Sequence, residues 1–456
     1  MTTHADRPQT DLGMPSVRGA FDDHRPPSKE LISDCVHCGF CLTTCPTYTL
    51  WGEEMDSPRG RIHLMKTGLE GEPLSDEMVS HFDACLGCMA CVTSCPSGVQ
   101  YDRLLEQTRA QVERNHRRSP ADRALRTLIF SLFPYPARLR AARGPLRLAQ
   151  RLGVEDRLRH SALLQRLAPR LSAMQSLTPA LADREELPER IPAEGTRRAT
   201  VAMLTGCVQR EFFPGVNAAT ARVLAAEGCE VLVPRSQGCC GALSGHSGRE
   251  EEAQRFARAT IEAFEEAEVD YIVVNAAGCG SAMKEYDFLL EDDAETPNGL
   301  APERVRAFTS KVRDLSEVLV ELGPQATYHP LPTTAAYHDA CHLGHAQGVR
   351  DQPRALLAGV PELTVKEIPE AAICCGSAGV YNILNPEPAR ELGDSKARNV
   401  MSTGAELLVT ANPGCLMQIA ASVERLGGRI ALAHTAVVLD ASQRGLPVSA
   451  LLDEGS

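Results

Sequence analysis

The chain has 456 residues, 43% of them hydrophobic and 23% charged, ordinary proportions for a soluble protein of roughly two to four domains. Its formal net charge of −12 argues against general nucleic-acid binding, and no apolar run approaches the length that spans a bilayer. Seventeen cysteines without an export signal argue against a secreted disulfide scaffold and point to metal ligation in a reducing, cytoplasmic compartment.

Residues 1–29 are polar and proline-containing, lack the apolar core of a signal peptide, and are expected to form a disordered arm. Residues 30–105 carry two copies of the pattern C-x2-C-x2-C-x3-C-P, at Cys35, Cys38, Cys41, Cys45 and at Cys85, Cys88, Cys91, Cys95. This is the bacterial-type ligand run for [4Fe–4S] clusters, in which the fourth cysteine usually serves the other cluster. Cys35, Cys38, Cys41 and Cys95 are thus expected at cluster 1, and Cys85, Cys88, Cys91 and Cys45 at cluster 2. Gly39 and Gly87 allow backbone N–H groups to approach the sulfides, and Pro46 and Pro96 turn the chain away. Zinc would use only four of these thiolates, usually as two separated C-x2-C pairs, and disulfides suit short secreted chains. The expected chemistry is electron transfer.

Between the runs, Ser57 is expected to cap a helix with Pro58 in its first turn and with Ile62, Leu64 and Met65 partly buried. Packing is the default role of this helix. Neutralisation of cluster charge is the alternative for Arg59, Arg61 and Lys66.

Residues 106–197 read as an Arg-rich helical linker. Residues 101–200 hold twenty arginines, no lysine and eleven acidic residues, with leucines at helical spacing broken by Pro134, Pro136 and Pro145. A solvated basic face is the default, and docking to an acidic partner or to anionic lipid headgroups is the functional alternative. The latter would place the protein peripherally on the cytoplasmic face of a membrane.

From residue 198 the pattern alternates strand and helix, which implies parallel sheets with helices on their faces. Strands are expected at Ala199–Leu204, Glu230–Val233, Tyr271–Val274, Ala335–His338 and Leu407–Thr410, with a helix at 217–227 closed by Gly228. Two domains, 198–325 and 326–445, are followed by a tail at 446–456. They form an internal duplication. Cys207, Cys239, Cys240 and Cys279 are separated by 31 and 38 residues, and Cys341, Cys374, Cys375 and Cys415 by 32 and 39. Each Cys-Cys pair is followed by glycine, Gly241 or Gly376. Adjacent Cα atoms, about 3.8 Å apart, are closer than disulfides prefer, so metal or cluster ligation is favoured over a vicinal disulfide. A third cluster, zinc and a redox-active thiol group all remain open at these eight cysteines. Cys229 is expected to be a buried structural thiol. His246, His342 and His345 read first as packing residues and alternatively as part of an acceptor or proton site. Lys284 and Lys396 are expected on the surface.

With both layouts read, the chain resembles the family that joins a two-cluster ferredoxin domain to two CCG domains, and within it the glycolate oxidase iron–sulfur subunits. The resemblance spans about residues 30–440. It rests on 56–62 (DSPRGRI), 275–286 (NAAGCGSAMKEY), 338–343 (HDACHL) and 412–417 (NPGCLM). It implies a helical ferredoxin domain with two [4Fe–4S] clusters, two duplicated α/β CCG domains, and a partner FAD-binding 2-hydroxyacid dehydrogenase subunit. Electrons would leave toward a quinone or another acceptor. No G-x-G-x-x-G follows the first sheet strand, so no flavin or NAD is assigned to this chain. Lactate and glycerol 3-phosphate are alternative donors. Heterodisulfide reductases end their CCG domains in Cys-x-x-Cys, whereas Ala282 and Gln418 stand at those positions here, which disfavours a thiol–disulfide reductase. A zinc-stabilised binding scaffold is the reading from outside redox chemistry.

Overall fold

The computed structural model describes residues 19–153, 168–183, 185–296 and 299–452. The N-terminal third is helical: Lys29–Ser33, Pro46–Trp51, Pro58–Leu69, Asp76–Ala84, Ala90–Thr93 and Tyr101–Asn115. The Ser57 side chain accepts from the Gly60 N–H, and Pro58 opens the helix that follows. Ile62 and Met65 pack with Phe82, Leu104 and Leu105 in one core. The helix Tyr101–Asn115 runs through the boundary expected at residue 105 and belongs to that core.

Residues 1–18 lie outside the described residues, but 19–28 are not a loose arm. Ala20 and Phe21 are buried against Gly68, and Gln111 Nε2 (2.9 Å) and Arg114 Nε (3.1 Å) donate to the Asp22 carboxylate. Burial opposes ionisation of Asp22, yet these donors hold its pKa at about 2. Arg25 continues to Glu250 (2.7 Å), strapping the segment to the next domain. Polar composition concealed this short apolar anchor.

The Arg-rich segment forms Pro120–Leu132, Pro136–Arg151 and Pro169–Ser176; residues 154–167 are outside the description. Its basic face is only partly internal: Arg126 and Arg143 are buried, while Arg117, Arg123, Arg138, Arg140 and Arg151 stay exposed. Arg118 pairs with Asp83 (2.7 Å) and Glu113 (3.0 Å), Arg126 and Arg170 converge on Asp122, and Arg140 reaches the buried Glu211. Among the described residues, no helix is long and apolar enough to cross a membrane.

Two sheets follow. The strands β1 (Arg190–Ile191), β2 (Ala199–Met203), β3 (Cys229–Leu232), β4 (Tyr271–Val274) and β5 (Val312–Asp314) take the order β1-β3-β2-β4-β5. The second sheet orders β6 (Thr333–Tyr337), β7 (Leu363–Glu367), β8 (Leu407–Thr410) and β9 (Ala431–His434) as β7-β6-β8-β9. Every pairing is parallel except that of β1, and β3-β2-β4-β5 repeats as β7-β6-β8-β9. The helix Pro214–Ala226 packs on Thr435–Gln443, and Leu315–Leu322 packs on Asp351–Ala358. Each pair joins the helix after the first strand of one copy to the helix after the last strand of the other. One apolar core therefore spans both sheets, with Val201, Val223 and Leu319 packed alongside Tyr337, Leu357 and Leu439. The expected tail is ordered to residue 452, and Leu451 is buried in this core.

Two further expectations fail on burial. Lys396 is inside, 2% exposed, with Nζ donating to the Glu370 carbonyl (2.7 Å), and Lys284 is mostly covered and pairs with Glu317 (2.6 Å). Cys229 is buried on β3, where desolvation pushes its thiol up to about 11.

The equivalent ends of β5 and β9 carry Asp314 and His434, which cap the helices that follow through Ser316 and Ala436 N–H groups. Burial raises Asp314 to about 6 despite hydrogen bonds from Ser316, and burial lowers His434 to about 4. An unfolded chain protonates His434 first, so its contribution to stability is lost as pH falls from about 6.5 toward 4; Asp314 opposes this between about pH 4 and 6. The His434→Asn variant removes only the first effect. Urea denaturation from pH 7 to 5 is expected to show wild type losing about 2 kcal/mol more than this variant.

Candidate metal centres

The two ferredoxin runs use the same backbone trick with different residues. Positive φ falls at His37 and Gly39 in the first and at Gly87 and Met89 in the second, which are equivalent positions. Left-handed residues on either side of the second cysteine curl each loop inward. An arginine crosses each loop: Arg59 donates to the His37 carbonyl (3.0 Å) and Arg109 to the Cys85 carbonyl (2.6 Å).

The eight cysteines of the two runs lie near one another. Burial raises the Cys35 thiol, and Cys95 and Cys38 lie near enough to add to the shift. Cys88 and Cys91 are raised by burial and then by neighbouring thiols, Cys45 and Cys85 among them. The two groups differ in exposure. Cys38 is exposed beside Val36 (67%) and Phe40 (66%), whereas Cys85, Cys88 and Cys91 are buried. Arg61 is fully buried next to Cys85 and Cys45. Its Nε donates to the His81 carbonyl (2.6 Å) and its Nη2 to Thr47 Oγ1 and Asp56 Oδ1 (both 3.1 Å), while Nη1 has no protein partner. A buried guanidinium with a spare N–H beside two of the cluster cysteines fits an anionic sulfur cluster better than a neutral core. Burial would raise Cys85, but Arg61 and Arg109 hold it below its ordinary value.

The CCG cysteines also form two groups. Cys239, Cys240, Cys207 and Cys279 perturb one another directly, and the Gly241 N–H points at Cys239 Sγ (3.4 Å). In the second copy Cys341 Sγ lies 3.9 Å from Cys374 Sγ, and Asn412 Nδ2 donates to Cys415 Sγ (3.3 Å). The third residue of each Cys-Cys-Gly is dictated by space. Gly241 and Gly376 have φ of +84° and +87°, and a Cβ there would lie 3.0 Å from the Ala253 carbonyl oxygen and 2.6 Å from that of Ala389. Gly376→Ala is expected to cost about 2–4 kcal/mol in chemical denaturation, from left-handed strain plus this clash.

His246 and His342, expected near these elements, lie with ring centroids 4.8 Å apart and planes tilted by 37°, between Cys240 and Cys341. Their buried Nε2 atoms lack protein partners, and both histidines line a cleft that also touches Arg109 and Tyr381. His345 packs instead: Nε2 donates to the Ala372 carbonyl (3.1 Å), and Nδ1 accepts from Thr93 Oγ1 and Arg350 Nη2 (2.8 and 2.7 Å). Thr93 belongs to the second ferredoxin run. At the same seam Cys341 is a leading influence on Cys88, and Leu86 and Cys88 pack with Cys374 and Tyr381. The second CCG site therefore abuts the inner ferredoxin site, and the first lies beyond the histidine pair. Sequence reading did not single out Arg109 or His338. No local pattern marks Arg109, whereas His338 stands three residues before Cys341 where the first copy has Leu204.

Residues 31–99 match the family described as 4Fe-4S dicluster domain, 201–284 and 335–420 the cysteine-rich domain CCG, and 121–178 the glycolate oxidase iron-sulfur subunit linker region. The probable glycolate oxidase iron-sulfur subunit of Bacillus subtilis is 39% identical over 94% of this chain and 98% of its own length. The chain belongs to the glycolate oxidase iron–sulfur subunit family. The Escherichia coli glycolate oxidase iron-sulfur subunit is 36% identical over 89% of this chain and 92% of its own. Lactate utilization protein A of Bacillus cytotoxicus is 35% identical over 53% of this chain and 98% of its own. A hypothetical protein of Helicobacter pylori of known structure aligns with a TM-score of 0.40 at 9% identity, over 63% of this chain and 55% of its own, too distant to bear on fold or function. Where disulfide-reducing relatives of this family would carry a further cysteine, Gln418 donates to the Ala389 carbonyl (2.8 Å) and accepts from Asn382 (3.1 Å).

Proposed function

We propose that this chain is the iron–sulfur electron-transfer subunit of a flavin-dependent 2-hydroxyacid-oxidising complex, with glycolate as the donor substrate. The observation that carries this reading is the placement of the cysteine groups, from the exposed Cys38 loop to the buried Cys88, which packs in one cluster with Cys374 and Cys341. When bound, [4Fe–4S] clusters supply one-electron transfer, a step that reduced flavin on a partner requires. Cys35, Cys38, Cys41 and Cys95 would hold one, and Cys85, Cys88, Cys91 and Cys45 another. The two CCG groups would hold a further cluster or zinc. Arg61 and Arg109 offset thiolate charge at the inner site, and the surrounding apolar side chains exclude water there. The exposed Val36–Phe40 loop is the face for the flavoprotein, since electrons must enter where the cysteines approach the surface. Phe40→Asp is expected to slow transfer from the partner by about tenfold without changing iron content, a loss of about 1.4 kcal/mol at the interface.

The test is turnover by the chain copurified with its flavoprotein, using glycolate, lactate or glycerol 3-phosphate and a quinone acceptor. Chain-dependent quinone reduction with glycolate is the expected result. Reduction only with lactate would favour the reading suggested by the shorter lactate utilization relatives. Disulfide reduction by the isolated chain would overturn the proposal.

A further inference from the structure

The two CCG copies differ at a buried position beside their cysteines. Along β6, Ala335 and Tyr337 face the core shared by the sheets, while Ala336 faces the cluster that contains Cys375 and Cys415. Strand alternation puts His338, the next residue, on the cysteine side. Its N–H donates to the Val409 carbonyl (2.9 Å), which extends the β6–β8 ladder and fixes the backbone under the ring. In the first copy the same position is Leu204, packed beside Cys240 with Ala202 and Ile261. The leucine closes that site with hydrocarbon. The histidine presents a nitrogen.

A ring nitrogen of His338 and the sulfurs of Cys375 and Cys415 lie within 4.8 Å of one another. The ring is 1% exposed, and its Nδ1 has no protein hydrogen-bond partner. An unpaired imidazole nitrogen in a dry site is costly unless something partners it.

We infer that His338 is a metal ligand of the second CCG site, making it a mixed nitrogen–sulfur centre while the first copy is a sulfur-only site. The reading rests on these cysteines holding metal at all. Imidazole with thiolate selects a borderline-soft first-row ion, either iron in a cluster or zinc. A neutral nitrogen ligand adds no negative charge, and histidine ligation raises the potential of an iron centre. The second copy, which touches the inner ferredoxin site, would then be the more oxidising of the two if both hold iron.

The test measures iron and zinc per chain in full-length protein purified without oxygen. Wild type is compared with Cys415→Ser, His338→Ala, His338→Cys and His338→Gly, the last with and without added imidazole. Cys415→Ser and His338→Ala are expected to lose the same metal, iron or zinc according to the centre, while about eight irons at the ferredoxin runs remain. His338→Cys and imidazole with His338→Gly are expected to restore it. The inference is overturned if His338→Ala keeps the wild-type metal content, if neither cysteine nor imidazole repairs the loss, or if Cys415→Ser loses nothing. A second readout needs no variant. Labelling wild type with ¹⁵N-histidine should reveal nitrogen bound directly to the second-site metal, by pulsed EPR for iron or by a nitrogen shell at the zinc absorption edge, and its absence from both would also overturn the assignment. Missing ferredoxin iron in wild type would count against the electron-transfer proposal, not against His338.

Discussion

Replacing Arg61 by methionine is expected to destabilise the protein by about 3–5 kcal/mol and to release iron from the inner ferredoxin site. The side chain is fully buried and ties three segments together: His81 at the end of one helix, Thr47 beside Cys45, and Asp56 before the Ser57 cap. Asp56 also meets His81 Nδ1 at 3.0 Å, and its backbone carbonyl accepts from Thr47 Oγ1 at 2.6 Å. Methionine fills much of the volume but leaves the buried carboxylate with one donor fewer. Lysine keeps the charge and loses the fork, so Arg61→Lys should also fall short of wild type. Denaturation with iron analysis checks this. Stability within about 1 kcal/mol of wild type, with full iron, would remove Arg61 from the account.

Cys88→Ser is expected to remove about four irons and nearly all quinone reduction, while a dye that accepts directly from the flavoprotein is still reduced. Cys88 is buried at the seam with Cys341, so its loss interrupts the series of thiol groups between the surface loop and the CCG region. Full quinone turnover by this variant would show that electrons bypass the inner site.

Much of this architecture was readable because cysteine spacing is a strong signal. The two ferredoxin runs, the tandem CCG groups and five of the nine strands follow from residues near one another in the chain. Strands β4 and β8 fall where the apolar runs place them. The strands that escaped are short or lie at sheet edges. β1 has two residues, β5 is Val-Arg-Asp and β7 is mostly exposed Leu-Thr-Val-Lys-Glu, so none of these three carries an apolar run, and the edge strand β9, Ala-Leu-Ala-His, has no β-branched residue. Burial of single charged residues was not readable either. Lys396 and Arg61 look like any cation on a helix, and only tertiary contacts decide that one reaches a loop carbonyl and the other a cysteine site. The arginines of residues 101–200 show the same limit, since their acidic partners include Asp22, Asp83, Glu211 and Glu250, outside that stretch. His338 lay in a segment that already stood out, but its meaning required the duplicated sheets to be superposed in register.

The most direct test of the central claim is low-temperature EPR, with iron, sulfide and zinc analysis, on the chain and its flavoprotein frozen after glycolate is added without oxygen. At least about eight irons per chain are expected, with reduced [4Fe–4S] signals that appear on glycolate addition. Fully reduced flavin with no iron–sulfur signal, or zinc in place of iron, would contradict it.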